Sequence, residues 1–411
     1  MSMQPDQNPS DREQNPMKLS QRIQQVSASP TIAITGKAKA MQAEGIDVVS
    51  FGAGEPDFDT PQFIKDAAAE ALQAGDTKYT PRSAAGLKKA IAAKLTSENN
   101  IPTEPSDVIV TFGGKHALYE AFQVLVDPGD EVLIPAPYWV SYPEQVKLAG
   151  GVPVILETTP EDGFKIKPSQ ITEAAKNGAK ILVLNSPGNP TGVMYTPAEL
   201  RAIAEAVLET ELIVFADEIY EKLIYDDKEF VSFASLDEKL PARTLTFNGL
   251  AKTFSMTGWR LGWVAGPKDV IGAMGRLLSH ETTNPVSFAQ AGALAAYTYP
   301  GAAGVVEKMR KEFAARRSHM LERLRALPQV SCVEPDGAFY CFPDISAHFG
   351  RTLGGVEVTD SLSFAAAALQ SAKVALVPGV AFGEDRCVRL SFATSMKNID
   401  KGLDRLAELL K

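Results

Sequence analysis

The feature that most constrains this chain is the alternation of short apolar runs with helical patterns between Pro61 and about Tyr299. Seven runs read as strands: DVIVTF (107–112), EVLIPA (131–136), VPVILE (152–157), AKILVLN (179–185), LIVFAD (212–217), TLTFN (244–248) and GWVAG (262–266). Several are apolar along their whole length and rich in Val, Ile and Leu, as strands buried on both faces are. After the first of them, KHALYEAFQVLV puts Ala117, Leu118, Ala121, Phe122, Leu125 and Val126 at helical spacing. Strand and helix alternating over this length predict an α/β fold with a doubly wound, mainly parallel seven-stranded sheet flanked by helices.

The flanks read differently. From about Lys308 a charged helical run (EKMRKEFAARRSHMLERLRAL) leads to shorter strands around AFYCFPD, VALVPG and CVRLSF, and a helix closes the chain at 398–411. Near the other end, SQRIQQVSASPTIAITGKAKAMQAEG reads as a short helix, a Pro-bounded extended piece and a second helix. The predicted division is a disordered tail over 1–16, a small α+β domain from 17–60 and 308–411, and a large domain over 61–307. The uncharged stretch 282–306 is long enough to span a bilayer. Pro285, Gln290 and Pro300 make it too polar, so a buried loop and helix is expected.

Charge and cysteine content narrow the function. Against 41 basic side chains stand 50 acidic ones, a net charge of −9, which argues against a nucleic-acid partner. Cys332, Cys341 and Cys387 cannot form a disulfide framework, and His116, His280, His319 and His348 show no zinc spacing. Residues 1–16 lack the apolar stretch of a signal peptide. A reduced, cytoplasmic, metal-free protein is expected.

The chemistry gathers in a few runs. In Asn248-Gly-Leu-Ala-Lys252-Thr-Phe-Ser-Met-Thr-Gly-Trp-Arg260-Leu-Gly262, a lysine lies among small residues with an arginine eight positions later. Close backbone, desolvation and a nearby cation lower a lysine's pKa and suit it to a Schiff base. Arg260 offers a permanent planar fork for phosphate. Gly113-Gly114-Lys115 joins a strand to an amphipathic helix, so its amides are placed to hold phosphate. It is no Walker loop, because Ile109 and His116 break that pattern. Asp217 ends the apolar strand of FADEIY, where α/β folds bind ligands. Arg389 in CVRLSFA is costly in an apolar strand unless paired. Gly52-x-Gly54-x-x-Asp57 is a broken dinucleotide fingerprint lacking the third glycine.

The lysine run resembles, position by position, the signature of class I pyridoxal-phosphate aminotransferases. AGEPDFDTP, GGK, PYWVSYPE, DEIYE and AKTFSMTGWRLG together are similar to the aspartate aminotransferase branch called Ib. The resemblance spans the chain from about residue 17 and implies the fold-type-I architecture of pyridoxal-phosphate transferases. It also implies residue roles. Lys252 holds the cofactor and serves as catalytic base and acid. Gly113, Gly114, Lys115 and Arg260 surround the phosphate, and Trp139 stacks on the ring. Asn189 in LNSPGNPTG and Tyr220 bind the ring oxygen, and Asp217 pairs with the ring nitrogen. Arg389, Asn189 and Gly54 take the substrate α-carboxylate, with Trp139 beside them. Tyr79 in TKYTP reaches the phosphate of a neighbouring subunit, which makes the protein a homodimer with shared sites.

Two departures matter. The phosphate-binding serine of better-known aspartate aminotransferases is Gly249 here, and the stretch 280–288 (HETTNPVSF) lacks their distal-carboxylate arginine. In the Ib branch a lysine at the Lys115 position takes that task. The implied reaction is transfer from L-aspartate to 2-oxoglutarate. Prephenate use, linked in some members to a lysine that aligns with Ser27 here, is an alternative. So is preference for alanine, kynurenine or aromatic amino acids. Pyridoxal-phosphate-binding regulators carry a winged-helix domain where a short polar tail stands in this sequence.

Overall fold

The computed structural model describes residues 17–27, 30–79 and 84–411, so the tail read over 1–16 lies outside the described residues. The seven predicted strands form one sheet: β1 (Val108–Thr111), β2 (Glu131–Pro135), β3 (Val152–Leu156), β4 (Ile181–Asn185), β5 (Ile213–Asp217), β6 (Thr244–Gly249) and β7 (Gly262–Ala265). Their order is β1-β7-β6-β5-β4-β2-β3. β7 runs antiparallel to both its neighbours, β1 and β6, and the other pairings are parallel. β1 and β6 are buried at every position, which is what a continuous apolar run means when helices cover both faces.

One face carries helix Gly114–Leu125, whose Ala117, Leu118, Ala121 and Phe122 pack onto Phe215 of β5 and Phe247 of β6. The opposite face carries helix Pro197–Leu208, whose Leu200, Ile203 and Val207 pack onto Leu182 and Leu184 of β4. That second helix starts where it does because Thr196 and Glu199 close a reciprocal cap. The Thr196 hydroxyl accepts from the Glu199 amide, and the Glu199 carboxylate accepts from the Thr196 amide at 2.7 Å.

A smaller sheet of β8 (Tyr340–Cys341), β9 (Val377–Pro378) and β10 (Val388–Ser391) is antiparallel in the order β9-β10-β8. Val49–Ser50 pairs in parallel with Val374–Ala375. Phe51, Phe313, Phe339, Phe392 and Leu403 form a core beneath these strands, and Tyr220, Leu223 and Tyr225 from beyond β5 enter it too. That shared core brings β10 to the carboxyl ends of β4 and β5.

One local expectation is corrected. The second helix near the start begins at Pro30 itself and runs to Ala43, in place of an extended piece bounded by that proline. Proline suits a first helical position because its missing N–H would have no partner there. Within 282–306 a helix, Ser287–Thr298, buries Ala289, Gln290, Ala293 and Ala296. Among the described residues no helix is long and apolar enough to cross a membrane.

Candidate active site

Asn185 and Asp217 are the last residues of β4 and β5 and face each other in register. Asn185 donates from Nδ2 to the Asp217 carbonyl at 2.9 Å, and its Oδ1 accepts from the Asn189 amide at 3.0 Å. The strand ends thereby fix the loop that carries Asn189. The Asp217 carboxylate is buried. Its Oδ2 accepts from the Tyr142 hydroxyl at 2.6 Å and its Oδ1 from the Ile219 amide at 3.3 Å. Burial holds the Asp217 carboxyl above its ordinary range, although both donors and the Lys252 charge pull the other way. Burial, with the Asp217 charge beside it, also pushes the Tyr142 hydroxyl far up, so it stays a donor.

Lys252 follows β6 in the turn beyond Gly249. Its Nζ donates to the Gly54 carbonyl and stands 5.7 Å from the Phe339 ring centroid. Burial lowers its pKa to about 8; the Arg389 and Arg260 charges add to that and Glu55 opposes it. Burial and neighbouring guanidinium charges both favour the neutral form of an amine.

Arg260 sits in the left-handed region at φ 52°. Its Nη1 donates to the Thr257 carbonyl at 2.8 Å and its Nη2 to the Phe112 carbonyl at 3.3 Å. The guanidinium lies against Gly113, where a Cβ would come within 2.8 Å of Nη2, and Gly113 itself has φ +89°. Gly262 leaves no more room, since a Cβ there would meet the Gly114 nitrogen at 2.4 Å. These glycines let the start of helix Gly114–Leu125 lie beside Arg260, and the first amides of a helix have no partner inside it. The same crowding accounts for Gly249, because a Cβ there would stand 2.9 Å from the Gly262 Cα.

Lys115, in the first turn of that helix, holds its Nζ 4.9 Å from the Trp139 ring centroid. Burial and the Arg260 charge lower its pKa. Trp139 meets Tyr142 edge to face, with centroids 5.3 Å apart.

Arg389 is buried on β10. It donates from Nη1 to Asn189 Oδ1 at 2.9 Å and from Nη2 to the Gly52 carbonyl at 3.0 Å. The Tyr340 and Phe382 ring centroids lie 4.5 and 5.0 Å from its guanidinium carbon. Its Nε is buried without a hydrogen-bond partner. Tyr220 and Tyr340 share a hydrogen bond of 3.0 Å between their hydroxyls.

These side chains converge on one cavity of about 590 Å³. Gly54, Gly113, Gly114, Lys115, Trp139, Asn189, Asp217, Tyr220, Lys252, Arg260 and Arg389 all line it. Tyr79 does not: it is 80% exposed on the surface of its own chain. Tyr142, Asn185 and Tyr340 are among the lining residues that were not read from the sequence. Tyr142 follows Trp139 by one helical turn inside the PYWVSYPE run and was within reach of that motif. Asn185 ends a strand exactly as Asp217 does and shares its level through the sheet register. Tyr340 lies in the AFYCFPD run read as a short strand, and only the fold brings it to Tyr220.

Residues 46–406 match the family described as Aminotransferase class I and II. The aspartate aminotransferase of Bacillus subtilis (strain 168) is 48% identical over 396 residues, covering 96% of this chain and 99% of that protein. The aspartate/prephenate aminotransferase of Thermus thermophilus is 44% identical, over 95% of this chain and 98% of that one. A solved structure of aspartate aminotransferase from Thermus thermophilus with maleate has a TM-score of 0.89 and 44% identity, covering 96% of this chain and 100% of that chain.

Proposed function

The chain belongs to the aminotransferase class I and II family, and from that premise we propose that it transfers the amino group of L-aspartate to 2-oxoglutarate, giving oxaloacetate and L-glutamate. The observation that carries this reading is one cavity holding both Lys252, an amine of depressed pKa, and Arg389, a buried guanidinium with an unpartnered Nε. A substrate carboxylate is the natural partner for that nitrogen, because a bidentate fork matches it.

The residues present fit pyridoxal phosphate. Gly113 and Gly262 let the start of the helix stand against Arg260, and a Cβ on Gly114 would meet open space, so the helix's first amides face free room beside a guanidinium, as a phosphate requires. Asp217 is a buried carboxyl with two neutral donors and no cation in hydrogen-bond contact, which suits a protonated ring nitrogen. Trp139 offers an aromatic face, and Asn189 and Tyr220 offer polar groups to the ring oxygen. When bound, the cofactor supplies a carbonyl that condenses with amines and a ring that accepts electrons from the neighbouring carbon.

The chain's residues do the rest. Arg389, held by Asn189 and the Gly52 carbonyl, takes the α-carboxylate, with the Gly54 amide beside it. That grip orients the substrate's α-C–H toward Lys252. The Lys252 amine removes this proton and later returns one, which its depressed pKa allows near neutral pH. Tyr142 keeps Asp217 fixed and ionised once a cation stands against it. Lys115 binds the distal carboxylate, an arrangement that favours acidic substrates. Ser27 brings no cation to the lysine position tied to prephenate, so the reading stays with aspartate.

The chain is read as a homodimer in which Tyr79, exposed on its own chain, serves the neighbouring cleft. A sedimentation mass of a single 44.1 kDa chain contradicts that reading. The division into a large part (61–307) and a small part (17–60 with 308–411) belongs to the same proposal, as does a cytoplasmic location. Three free thiols support a reducing compartment.

The test of the reaction is a titration of the cofactor-loaded protein, followed by visible absorbance, with L-aspartate and separately with L-alanine. Aspartate should exhaust the band at a concentration roughly tenfold lower or better, the worth of one charge-assisted hydrogen bond. A band indifferent to aspartate overturns the substrate assignment.

A further inference from the structure

Away from the cleft lining, helix Gly114–Leu125 carries His116 and Glu120 one turn apart on the same side. Helix Lys268–Glu281 packs against it and ends in Glu281. His116 Nδ1 lies 3.8 Å from Glu120 Oε2, and His116 Nε2 lies 3.3 Å from Glu281 Oε2. One donor atom from each residue falls within 4.8 Å of the others.

Burial makes this cluster unusual. The Glu120 side chain is 0% exposed, and neither of its oxygens has a hydrogen-bond partner. His116 Nε2 is likewise buried and makes no hydrogen bond, with only the Glu281 carboxylate beside it, and the Phe112 amide donates to Nδ1 at 3.4 Å. A buried carboxyl with neither oxygen hydrogen-bonded is rare in folded proteins, and burial with the Glu281 charge beside it pushes this one up to about 8. The nearest cationic side chain in the sequence, Lys115, is turned to Trp139 in the cleft. Glu281, 32% exposed, closes the cluster on its solvent side.

We propose that His116, Glu120 and Glu281 bind one divalent cation of the zinc class, with three protein donors and a fourth position open to water. One imidazole and two carboxylates from two helices are a donor set for zinc, or for cobalt or manganese in its place. The ion takes one oxygen from Glu120, one from Glu281 and a ring nitrogen of His116 at once. It also ties the end of helix Lys268–Glu281 to the turn that presents Lys115, bracing the cleft wall without lining it. Sequence spacing alone set a metal aside, because the third donor lies far along the chain.

The experiment uses the full-length, cofactor-loaded protein, stripped with chelator and dialysed against Zn²⁺. Wild type should hold one more zinc per chain than E281Q or E120Q, and each substitution should weaken binding by about tenfold or more. Zinc should also raise the thermal midpoint of wild type and leave that of the variants unmoved. E281Q changes a partly exposed side chain, so the comparison stands even if E120Q does not fold. Equal zinc in wild type and E281Q, or no retained zinc in wild type, overturns the site.

Discussion

At Lys252 the surroundings set the chemistry of one amine. Burial acts first and lowers its pKa to about 8, and two guanidinium charges act in the same direction. Above that pH the amine is neutral and nucleophilic; below it the proton blocks attack. Much of this was legible, because Lys252 and Arg260 share one contiguous run with the small residues that crowd them. The glycine cradle was legible in part. The run showed small residues, while the reason for Gly262 needed its contact with Gly114. Arg389 was readable as a misplaced charge in an apolar strand. Its partners were not, since Asn189 and Gly52 lie 200 and 337 residues away.

Among the elements, the strands of the large sheet were the most legible, because burial on both faces leaves an apolar run that nothing else explains. The short strands β8 and β9 carry two residues each and depend on their neighbours for existence. Behind the end of β5 lies an interaction that no motif announced. Lys94, on helix Ala84–Glu98, pairs with Glu221 just past Tyr220, and each side chain is 6% exposed. Asn99 donates to the same Glu221 carboxylate at 2.9 Å. Burial acts to raise the Glu221 carboxyl, and Lys94 and Lys222 outweigh it, so its pKa ends below the ordinary value. Replacing one partner of a buried pair leaves the other uncompensated, so Lys94→Met should cost about 3–5 kcal/mol. Urea unfolding of the cofactor-free protein measures this. A loss under about 1 kcal/mol would mean that the pair behaves like a surface one.

Across the whole molecule, the site exists because two cores meet. The large sheet supplies Asn189, Asp217 and Lys252 at its strand ends, and the smaller sheet supplies Arg389 and Tyr340 from β10 and β8. Tyr220 and Tyr225 enter the second core from the first segment, so the two parts share packing as well as a cleft. The sequence showed two textures along the chain, and this joint between them could not be read from either texture alone. The proposed reaction requires Lys252 to be the amine that captures the cofactor. Mixing cofactor-free protein with pyridoxal phosphate over a range of pH, and following uptake by absorbance, tests it directly. Uptake should quicken as pH rises through about 8 and vanish in Lys252→Ala while circular dichroism stays unchanged. Undiminished uptake in Lys252→Ala, or a rise only near the ordinary lysine value of 10.5, would contradict it.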